Sequence, residues 1–359
     1  MLERQGFIRP HMADENDKRT IYMVDMHEPL MFLHNLDTTI KEPFASNPAV
    51  LDAVEKNHKK LQIAMTKLYP GNLVLSLSSG IMYHRLVDRI TALNDVPREP
   101  LVPRRLGKNM CVPFGKILRG KVVPNTVTKT LHTDKVYEPD LNSFTIEPFP
   151  YYSPLKSQIE TIKSFDRPVI LVDDLVHTAN RLQALVPQLR EDGIPIKKVV
   201  VGVLSGYGRD LMQCLKVPVE SIYSMPNLRQ WFVESTLYPF IGGDTVRREE
   251  MKVAGLQPSI NMILPYATPR LSGCSREALV EFSACCIENS RDLFQVLEAE
   301  YRKMYAKNLT LSRLSEAVIL PLCPDKGSCM EYDENLAASV YLENDLETLW
   351  RMKEFLIKG

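Results

Sequence analysis

The stretch Arg167–Leu185, RPVILVDDLVHTANRLQAL, decides the fold class. Its apolar run, Pro168–Val172, is rich in Val, Ile and Leu, which is typical of a strand buried on both faces of a parallel sheet. Two acids, Asp173 and Asp174, follow the run, and the spacing of apolar residues then predicts a helix over residues 180–192. A buried strand, a short loop and a helix form one βα unit of a parallel sheet.

Similar units lie on both sides of this stretch. Upstream, an apolar strand over Leu73–Leu77 leads through a Ser-Ser-Gly triplet into a predicted helix over 81–93. Before that strand, residues 47–69 predict a helix that begins with an Asn-Pro pair. Downstream, Val199–Leu204 predicts another buried strand. Strands that alternate with helices indicate an α/β fold with a parallel sheet.

The segment between these units, residues 94–155, is irregular, proline-rich and basic. Between Arg98 and Lys135 it has nine Lys or Arg residues against two acidic residues, and the pattern near Asn125–Tyr137 predicts a hairpin. A local basic stretch in a neutral chain suits a small polyanion, and the alternative interpretation is a solvated basic loop.

The whole chain is neutral and has the composition of a globular protein. Its 359 residues include 44 Lys+Arg and 44 Asp+Glu, which argues against broad binding to nucleic acid. It has no uninterrupted apolar run of about 18 residues and no secretory pattern, so we expect no membrane partner. Seven scattered cysteines predict reduced thiols in a cytoplasmic protein.

The character of the sequence changes beyond Pro226. Loops come first, then a long amphipathic helix over 275–305 and a last helix over 334–357. We therefore predict a mostly helical C-terminal domain over 226–359, after an α/β domain over 46–225.

Residues 1–45 are predicted to form an N-terminal extension with a strand over Thr20–Met26. The phrases LERQGFIRP and IYMVDMHEPL resemble the last strands of acetyl-CoA-dependent N-acetyltransferases, where a helix, a GF turn and a strand close the fold. The resemblance implies that the extension is the remnant of a preceding domain. No catalytic part of such an enzyme accompanies it.

The decisive stretch also indicates a chemistry. Open α/β sheets bind ligands at the carboxyl ends of their strands, which is where Asp173 and Asp174 are expected. Carboxylates suit a ribose diol or a hydrated Mg²⁺, and the N–H groups at the start of the following helix suit a phosphate. Together these groups suit a sugar phosphate.

RPVILVDDLVHTANRLQAL resembles the phosphoribosyl-pyrophosphate signature of the type I phosphoribosyltransferases, in which a hydrophobic strand leads into two acids and a Thr-Gly-x-Thr phosphate loop. NLVLSLSSGIMYHRLVDRI and KKVVVGVLSGYGRDLM are similar to two further parts of that core. The basic segment 98–137 lies where the family carries its mobile hood. The resemblance covers about residues 55–225 and implies a parallel-sheet, phosphoribosyltransferase-like core with a basic hood segment.

The resemblance implies roles for the matching residues at the sugar and its phosphates. Asp173 and Asp174 would hold the ribose hydroxyls and the cofactor Mg²⁺. The 5′-phosphate loop would be formed by Thr178, Ala179, Asn180 and Arg181. The pyrophosphate would lie on Ser78, Ser79 and Gly80.

Roles at the base and at the leaving group also follow from the resemblance. Tyr207 and Arg209 would pack on the base. Departing pyrophosphate needs basic side chains, which would have to come from the hood. By position we choose Arg119, Lys129 and Lys135 as the catalytic cations.

Two departures from the family pattern bear on catalysis. The loop reads Thr-Ala-Asn-Arg over Thr178–Arg181, so Ala replaces the family's Gly and Arg replaces its second Thr. Gly closes tightly on a phosphate, often through a positive φ that Ala accepts poorly. The Ser-Ser-Gly loop also lacks a basic residue next to its Gly.

We therefore expect a protein that binds phosphoribosyl pyrophosphate or a nucleotide 5′-phosphate and, as an enzyme, transfers phosphoribosyl to a nitrogen base. The alternative is a catalytically inactive module that senses a nucleotide or serves as a scaffold. A third interpretation treats the two acids only as a helix cap. The partner is a small sugar phosphate or nucleotide, and the chain is expected to be a homo-oligomer or part of a larger chain.

Overall fold

The computed structural model describes residues 25–103, 105–150, 152–248, 253–269, 271, 273–326 and 331–358. The N-terminal phrase LERQGFIRP and most of the predicted strand Thr20–Met26 lie outside these residues. Among the described helices, none is both long and apolar enough to cross a membrane.

The described part of the chain forms an α/β fold. Its strands are β1 Asp25–His34, β2 Asn72–Ser78, β3 Met110–Pro113, β4 Val127–Thr128, β5 Thr133–Tyr137, β6 Phe144–Pro148, β7 Val169–Val176, β8 Ile196–Ser205, β9 Val219–Met225, β10 Gln230–Val233, β11 Asp244–Val246, β12 Gln257–Ile260 and β13 Leu322–Pro324. Its α-helices are α1 Pro48–Leu68, α2 Ser79–Leu93, α3 Leu155–Lys163, α4 Asn180–Glu191, α5 Gly206–Cys214, α6 Arg276–Tyr305 and α7 Ala338–Lys358. Short 3₁₀ helices cover Leu36–Thr39, Glu234–Leu237 and Leu311–Glu316.

Helix α1 begins where the Asn-Pro pair predicts it. The side-chain oxygen of Asn47 accepts hydrogen bonds from the backbone N–H of Ala49, at 2.9 Å, and of Val50. Pro48 occupies the first helical position, where a missing N–H costs nothing. The helices predicted over 81–93 and 180–192 are likewise confirmed within two residues at each end.

Strand β1 is the centre of a three-stranded parallel sheet in the order β10-β1-β2. Side chains alternate along it. Leu30 and Phe32 share a hydrophobic core with α1, whereas Met31 and Leu33 share another core with α2. The sheet is therefore buried on both faces, as a parallel sheet requires.

A five-stranded parallel sheet in the order β4-β3-β7-β8-β9 forms the centre of the α/β region. Helices α3, α4 and α5 cover one face of it, and α2 covers the other. Helix α2 also packs against the three-stranded sheet, so it lies between the two parallel sheets. Its Met82 packs where Gly202 of β8 leaves room, since a Cβ at residue 202 would come within 2.2 Å of the Met82 sulfur.

The chain on either side of residue 226 shares one core. Strand β10 pairs with β1, and helix α1 packs against α6, which in turn packs against α7. The predicted division at residue 226 therefore does not coincide with a gap between hydrophobic cores. The C-terminal segment also contributes β11, β12 and β13 to a mixed sheet in the order β13-β12-β11-β5-β6.

Two local predictions differ from the structure. The predicted hairpin near Asn125–Tyr137 is instead formed by β5 and β6, which pair antiparallel from Thr133 to Pro148. Residues Val127 and Thr128 pair in parallel with β3. The strand predicted to end before Asp173 continues as β7 to Val176, because β8 pairs with it along that length.

Candidate functional site

The order of strands in the five-stranded sheet creates a topological switch point between β3 and β7. The strand that follows β3, β4, lies on one side of this pair, and β8 and β9 lie on the other. Open α/β sheets bind ligands at the carboxyl ends of their strands at such a point. The loop after β3, Phe114–Ile117, meets the end of β7 there.

Asp174 holds the loop after β3. Its Oδ2 accepts a hydrogen bond from the backbone N–H of Lys116 at 2.6 Å, and its Oδ1 accepts one from the N–H of Ile117 at 3.0 Å. Gly115 precedes these two residues, and a Cβ there would lie 2.5 Å from Asp174 Oδ1. The loop therefore requires glycine at residue 115 and a carboxylate at residue 174.

Asp173 is buried beside a guanidinium. Its side chain lies 3.9 Å from Arg181, and its Oδ1 accepts a hydrogen bond from the N–H of Asp174 at 2.8 Å. Burial raises the pKa of Asp173 to about 7, although the positive charge of Arg181 lowers it. Burial therefore favours the protonated form of Asp173 more than that of an ordinary aspartate.

Two cations act on this pair of acids, Arg181 and Arg119, and a third, Lys116, lies in the adjoining loop near both of them. Burial lowers the pKa of Lys116, and the carboxylates of Asp244 and Asp134 raise it. Arg181 donates a hydrogen bond from Nη1 to the carbonyl of Phe114 at 3.4 Å, so it links α4 to the loop after β3.

Arg119 connects the switch point to the mixed sheet. Its Nη2 donates to the carbonyl of Thr133 at 3.4 Å, and its guanidinium lies 5.1 Å from the centre of the Phe149 ring. Burial lowers the pKa of Arg119, and Asp134 opposes the shift. Its Nε is buried and has no hydrogen-bond partner among the described residues. Of the three hood cations predicted as catalytic, Arg119 is the one that the structure brings to the two acids.

The predicted phosphate loop has an unusual backbone. Ala179 has φ 51° and ψ 20°, which is the left-handed conformation, and it is buried. This conformation costs an L-residue about 1–2 kcal/mol. The loop thus keeps the conformation that glycine would favour, although residue 179 is Ala.

Helix α4 starts directly after Ala179 and receives no side-chain cap there. Asn180 donates from Nδ2 to the Thr178 hydroxyl at 2.9 Å and therefore does not cap the helix. The first N–H groups of an α-helix have no partner within it and carry the positive end of the helix dipole. Arg181, in the first turn, adds a full positive charge to this end.

The carboxyl end of β8 lies beside the same loop. His177 Nδ1 lies 2.8 Å from the Ser205 hydroxyl, and the His177 ring lies 5.8 Å from the ring of Tyr207. Burial lowers the pKa of His177. Tyr207 is exposed, whereas Arg209 donates from Nη2 to the Ser224 hydroxyl at 2.7 Å. The structure therefore brings Tyr207 to His177, the residue before the candidate phosphate loop, and turns Arg209 toward β9.

The predicted pyrophosphate residues belong to another sheet. Ser78 ends β2 in the three-stranded sheet, and Ser79 and Gly80 begin α2. Ser79 is buried, and its hydroxyl has no hydrogen-bond partner among the described residues. The resemblance implied that the acids of β7 and the Ser-Ser-Gly turn lie at one sheet. In the structure they follow strands of two different sheets.

Of the other two predicted cations, Lys129 follows β4 of the five-stranded sheet, and Lys135 lies on β5, inside the mixed sheet. Lys129 lines a cavity of about 140 Å³ together with His132 and Tyr152. Nζ of Lys135 contacts the Tyr137 hydroxyl and lies 4.1 Å from the centre of the Phe144 ring. The described contacts of Lys135 are therefore aromatic.

The two acids of β7 do not fit a Mg²⁺ site in this arrangement. Mg²⁺ needs free oxygen ligands in near-octahedral geometry. Both oxygens of Asp174 already accept backbone hydrogen bonds, and Asp173 is buried beside Arg181. The positive charges of Arg181 and Arg119 act directly on these two acids and oppose a cation between them.

Sequence reasoning missed Gly115, Lys116, Asp134 and Asp244 as members of this site. The first two lie in PFGKIL, directly after the short apolar run of β3, within a segment interpreted as irregular. An apolar run that ends in Gly-Lys is a strand-and-turn signal that could have placed a second strand end beside Asp173.

The chain matches no known protein-family model, and a search of curated proteins finds no similar one. Function is therefore inferred from the geometry of the switch point.

Proposed function

We propose that the carboxyl edge of the five-stranded sheet binds the 5′-phosphate of a phosphoribosyl compound, either a nucleotide or phosphoribosyl pyrophosphate. The observation that carries the proposal is the left-handed Ala179 at the uncapped start of α4. Strained backbone conformations persist where the surrounding structure requires them and cluster at binding sites. Here the left-handed turn begins α4 without a side-chain cap, so a phosphate can bind the first N–H groups of the helix.

Phosphate recognition rests on the charges around that turn. The helix N-terminus donates backbone N–H groups, and Arg181 supplies a guanidinium that can form two parallel hydrogen bonds with a phosphate. Arg119 adds a second guanidinium, whose buried Nε is unpaired among the described residues. An anion bound here compensates the desolvation of these cations.

The raised pKa of Asp173 fits the same ligand. A raised pKa reduces the repulsion between this carboxyl group and a neighbouring phosphate, and the protonated form can donate a hydrogen bond as well as accept one. A ribose hydroxyl offers both partners. The exposed ring of Tyr207, in the first turn of α5 directly after β8, gives a base an aromatic surface.

The occupied oxygens of Asp174 favour binding without phosphoribosyl transfer. Transfer in the type I enzymes would need a Mg²⁺-held pyrophosphate, and Asp174 is instead bound to the loop after β3. We therefore favour the nucleotide-sensing alternative over an active transferase.

Thermal unfolding of the full chain with AMP, UMP or phosphoribosyl pyrophosphate tests the proposal. A ligand at about 100 times its dissociation constant adds roughly 2.7 kcal/mol, which raises the midpoint. Arg181→Gln should abolish the rise. Arg190→Gln is the matched control, because Arg190 lies at the other end of α4 and bonds the carbonyls of Leu215 and Lys216.

Each result has one meaning. A midpoint that no phosphate raises, or that Arg181→Gln leaves ligand-sensitive, contradicts the binding site. Release of pyrophosphate from phosphoribosyl pyrophosphate and a base, dependent on Mg²⁺, would contradict the preference for sensing and support transfer. Binding without turnover supports both parts of the proposal.

A further inference from the structure

A second group of chemically active side chains lies at the carboxyl edge of the three-stranded sheet. His34 ends β1, and Glu234 follows the last residue of β10. Strands β1 and β10 are parallel neighbours, with Leu33 opposite Val233, so the two side chains leave adjacent strand ends. They are 200 residues apart in the chain.

Helix α1 brings a third side chain to these two. His34 lies on the same face of β1 as Phe32, whose ring it meets edge-on at 4.7 Å, and that face packs against α1. His58 of α1 faces this end of the sheet, and the rings of His34 and His58 have their centres 4.2 Å apart.

The nitrogen and oxygen atoms of the three residues converge. Glu234 Oε2 lies 3.3 Å from His34 Nδ1 and 2.6 Å from His58 Nε2. One ligand atom from each residue lies within 4.8 Å of the other two. The contact of His58 Nε2 is close but lacks hydrogen-bond geometry, so this buried nitrogen has no hydrogen-bond partner among the described residues. Within the described part of the chain, Glu234 Oε2 is thus hydrogen-bonded to His34 Nδ1 alone, and His58 Nε2 remains available as a ligand at the same point.

The buried carboxylate of Glu234 needs a positive partner. The side chain of Glu234 is 0% exposed, and a buried carboxylate is costly unless it is paired. Among the described residues, its ion-pair partners are the two histidines, and no Lys or Arg reaches it. A divalent cation would neutralise it. The side chains of His34 and His58 are 12% and 23% exposed, which leaves an entry path from solvent.

The surrounding polar groups orient the ligands. His34 Nε2 contacts the Ser76 hydroxyl, which also accepts a hydrogen bond from Gln62 Nε2 at 3.0 Å. His34 Nε2 also lies 3.2 Å from Gln62 Nε2. In the tautomer that donates from Nε2 to the Ser76 hydroxyl, Nδ1 is a metal ligand, and such partners of ligating histidines are the rule in metal sites. The Tyr238 hydroxyl donates to the other oxygen of Glu234 at 3.4 Å.

We propose that His34, His58 and Glu234 bind a divalent first-row transition-metal ion, with Zn²⁺ as the ion that best suits two imidazoles and one carboxylate. Three protein ligands leave a coordination position for water or a substrate. The proposal is independent of the phosphate site, which lies on the other parallel sheet.

Zinc binding by the full chain tests the proposal. Protein treated with EDTA is titrated with Zn²⁺ by calorimetry, and its thermal midpoint is measured with and without the ion. Wild type should bind one Zn²⁺ at this site and gain thermal stability. His58→Ala should lower the affinity by about 100-fold or more, because a ligand is a stronger contributor than the outer partners. His84→Ala, an exposed histidine of α2, is the matched control.

Two further variants keep the test decisive. Glu234→Gln retains the size of the buried side chain and should also lose the tight Zn²⁺ site. Ser76→Ala, at an exposed position of β2, should retain one site with about 10- to 100-fold weaker affinity. A purely structural hydrogen-bond cluster predicts that Zn²⁺ stabilises no variant, wild type included. That outcome, or Zn²⁺ binding that His58→Ala and Ser76→Ala leave unchanged, overturns the proposal.

Discussion

Gly115 and Asp174 approach so closely that a Cβ at residue 115 would lie 2.5 Å from Asp174 Oδ1. The loop after β3 thus has its conformation set by one carboxylate of β7. The contact joins the two strands that flank the switch point. It also fixes the backbone of the loop that carries the cations Lys116 and Arg119.

Gly115→Ala should destabilise the protein. The added methyl group overpacks against both acids of β7, which typically costs about 1–3 kcal/mol of unfolding free energy. Urea denaturation measures the change. Gly80→Ala is the control, because a Cβ at residue 80 would meet only the Ser78 hydroxyl at an ordinary 3.5 Å. Equal effects of the two substitutions would contradict the steric argument.

Asp174→Asn should lower the free energy of unfolding by about 1–3 kcal/mol. The amide nitrogen cannot accept the hydrogen bond of one of the two N–H groups, and a buried donor without its acceptor costs this much. The same denaturation experiment with Asp210→Asn, at an exposed position of α5, gives the baseline. If Asp174→Asn lowers the free energy of unfolding no more than Asp210→Asn does, the loop does not depend on the carboxylate of Asp174.

The stability of the folded chain should depend on the ionisation of Asp173. Burial raises its folded-state pKa to about 7 from an ordinary value of 3.8, so the protonated carboxyl favours the folded state. This contribution is fully present below about pH 4 and is lost as pH rises through about 7.

Asp173→Asn mimics the protonated side chain at every pH. The wild type should therefore lose unfolding free energy relative to this variant between about pH 4 and pH 7, as measured by urea denaturation across that range. A constant difference between the two proteins across the range is the result that would refute the raised pKa.

Ala179→Gly should stabilise the protein and leave phosphate binding intact. Relief of the left-handed strain is worth about 1–2 kcal/mol, and the greater entropy of unfolded glycine offsets part of it. Ala184→Gly, inside the same helix, should have the opposite sign, with a cost of about 1 kcal/mol. Urea denaturation measures both changes. If Ala179→Gly lowers the free energy of unfolding as Ala184→Gly does, the turn at residue 179 is not strained.

Local patterns were sufficient to predict the βα units. The apolar run before Asp173 and the Asn-Pro pair before α1 each determine an element from neighbouring residues, and both elements lie where they were expected. The pairing of β1 with β10 has no local signal in the sequence, because it places Leu33 opposite Val233, a residue far along the chain. The predicted domain boundary at residue 226 was based on a change in composition. Composition alone does not show which helices pack in the same core.

The candidate site could be predicted only from the β7 side. Asp173 and Arg181 lie in one βα unit, so their proximity follows from the sequence of that unit. The loop Gly115–Ile117 comes from a strand of four residues, too short to be distinguished from a basic loop by periodicity. For the same reason, the group of His34, His58 and Glu234 has no motif spacing, because three distant elements contribute one residue each.

The central position of β1 also has a consequence during synthesis. One of its two neighbours, β10, leaves the ribosome about 200 residues later, and α6, which packs on α1, follows β10. Until then, one edge of β1 has unpaired backbone groups beside an apolar face, a combination that favours aggregation. Such long-range pairing slows folding, so the nascent chain depends on this edge being shielded until its C-terminal helices emerge.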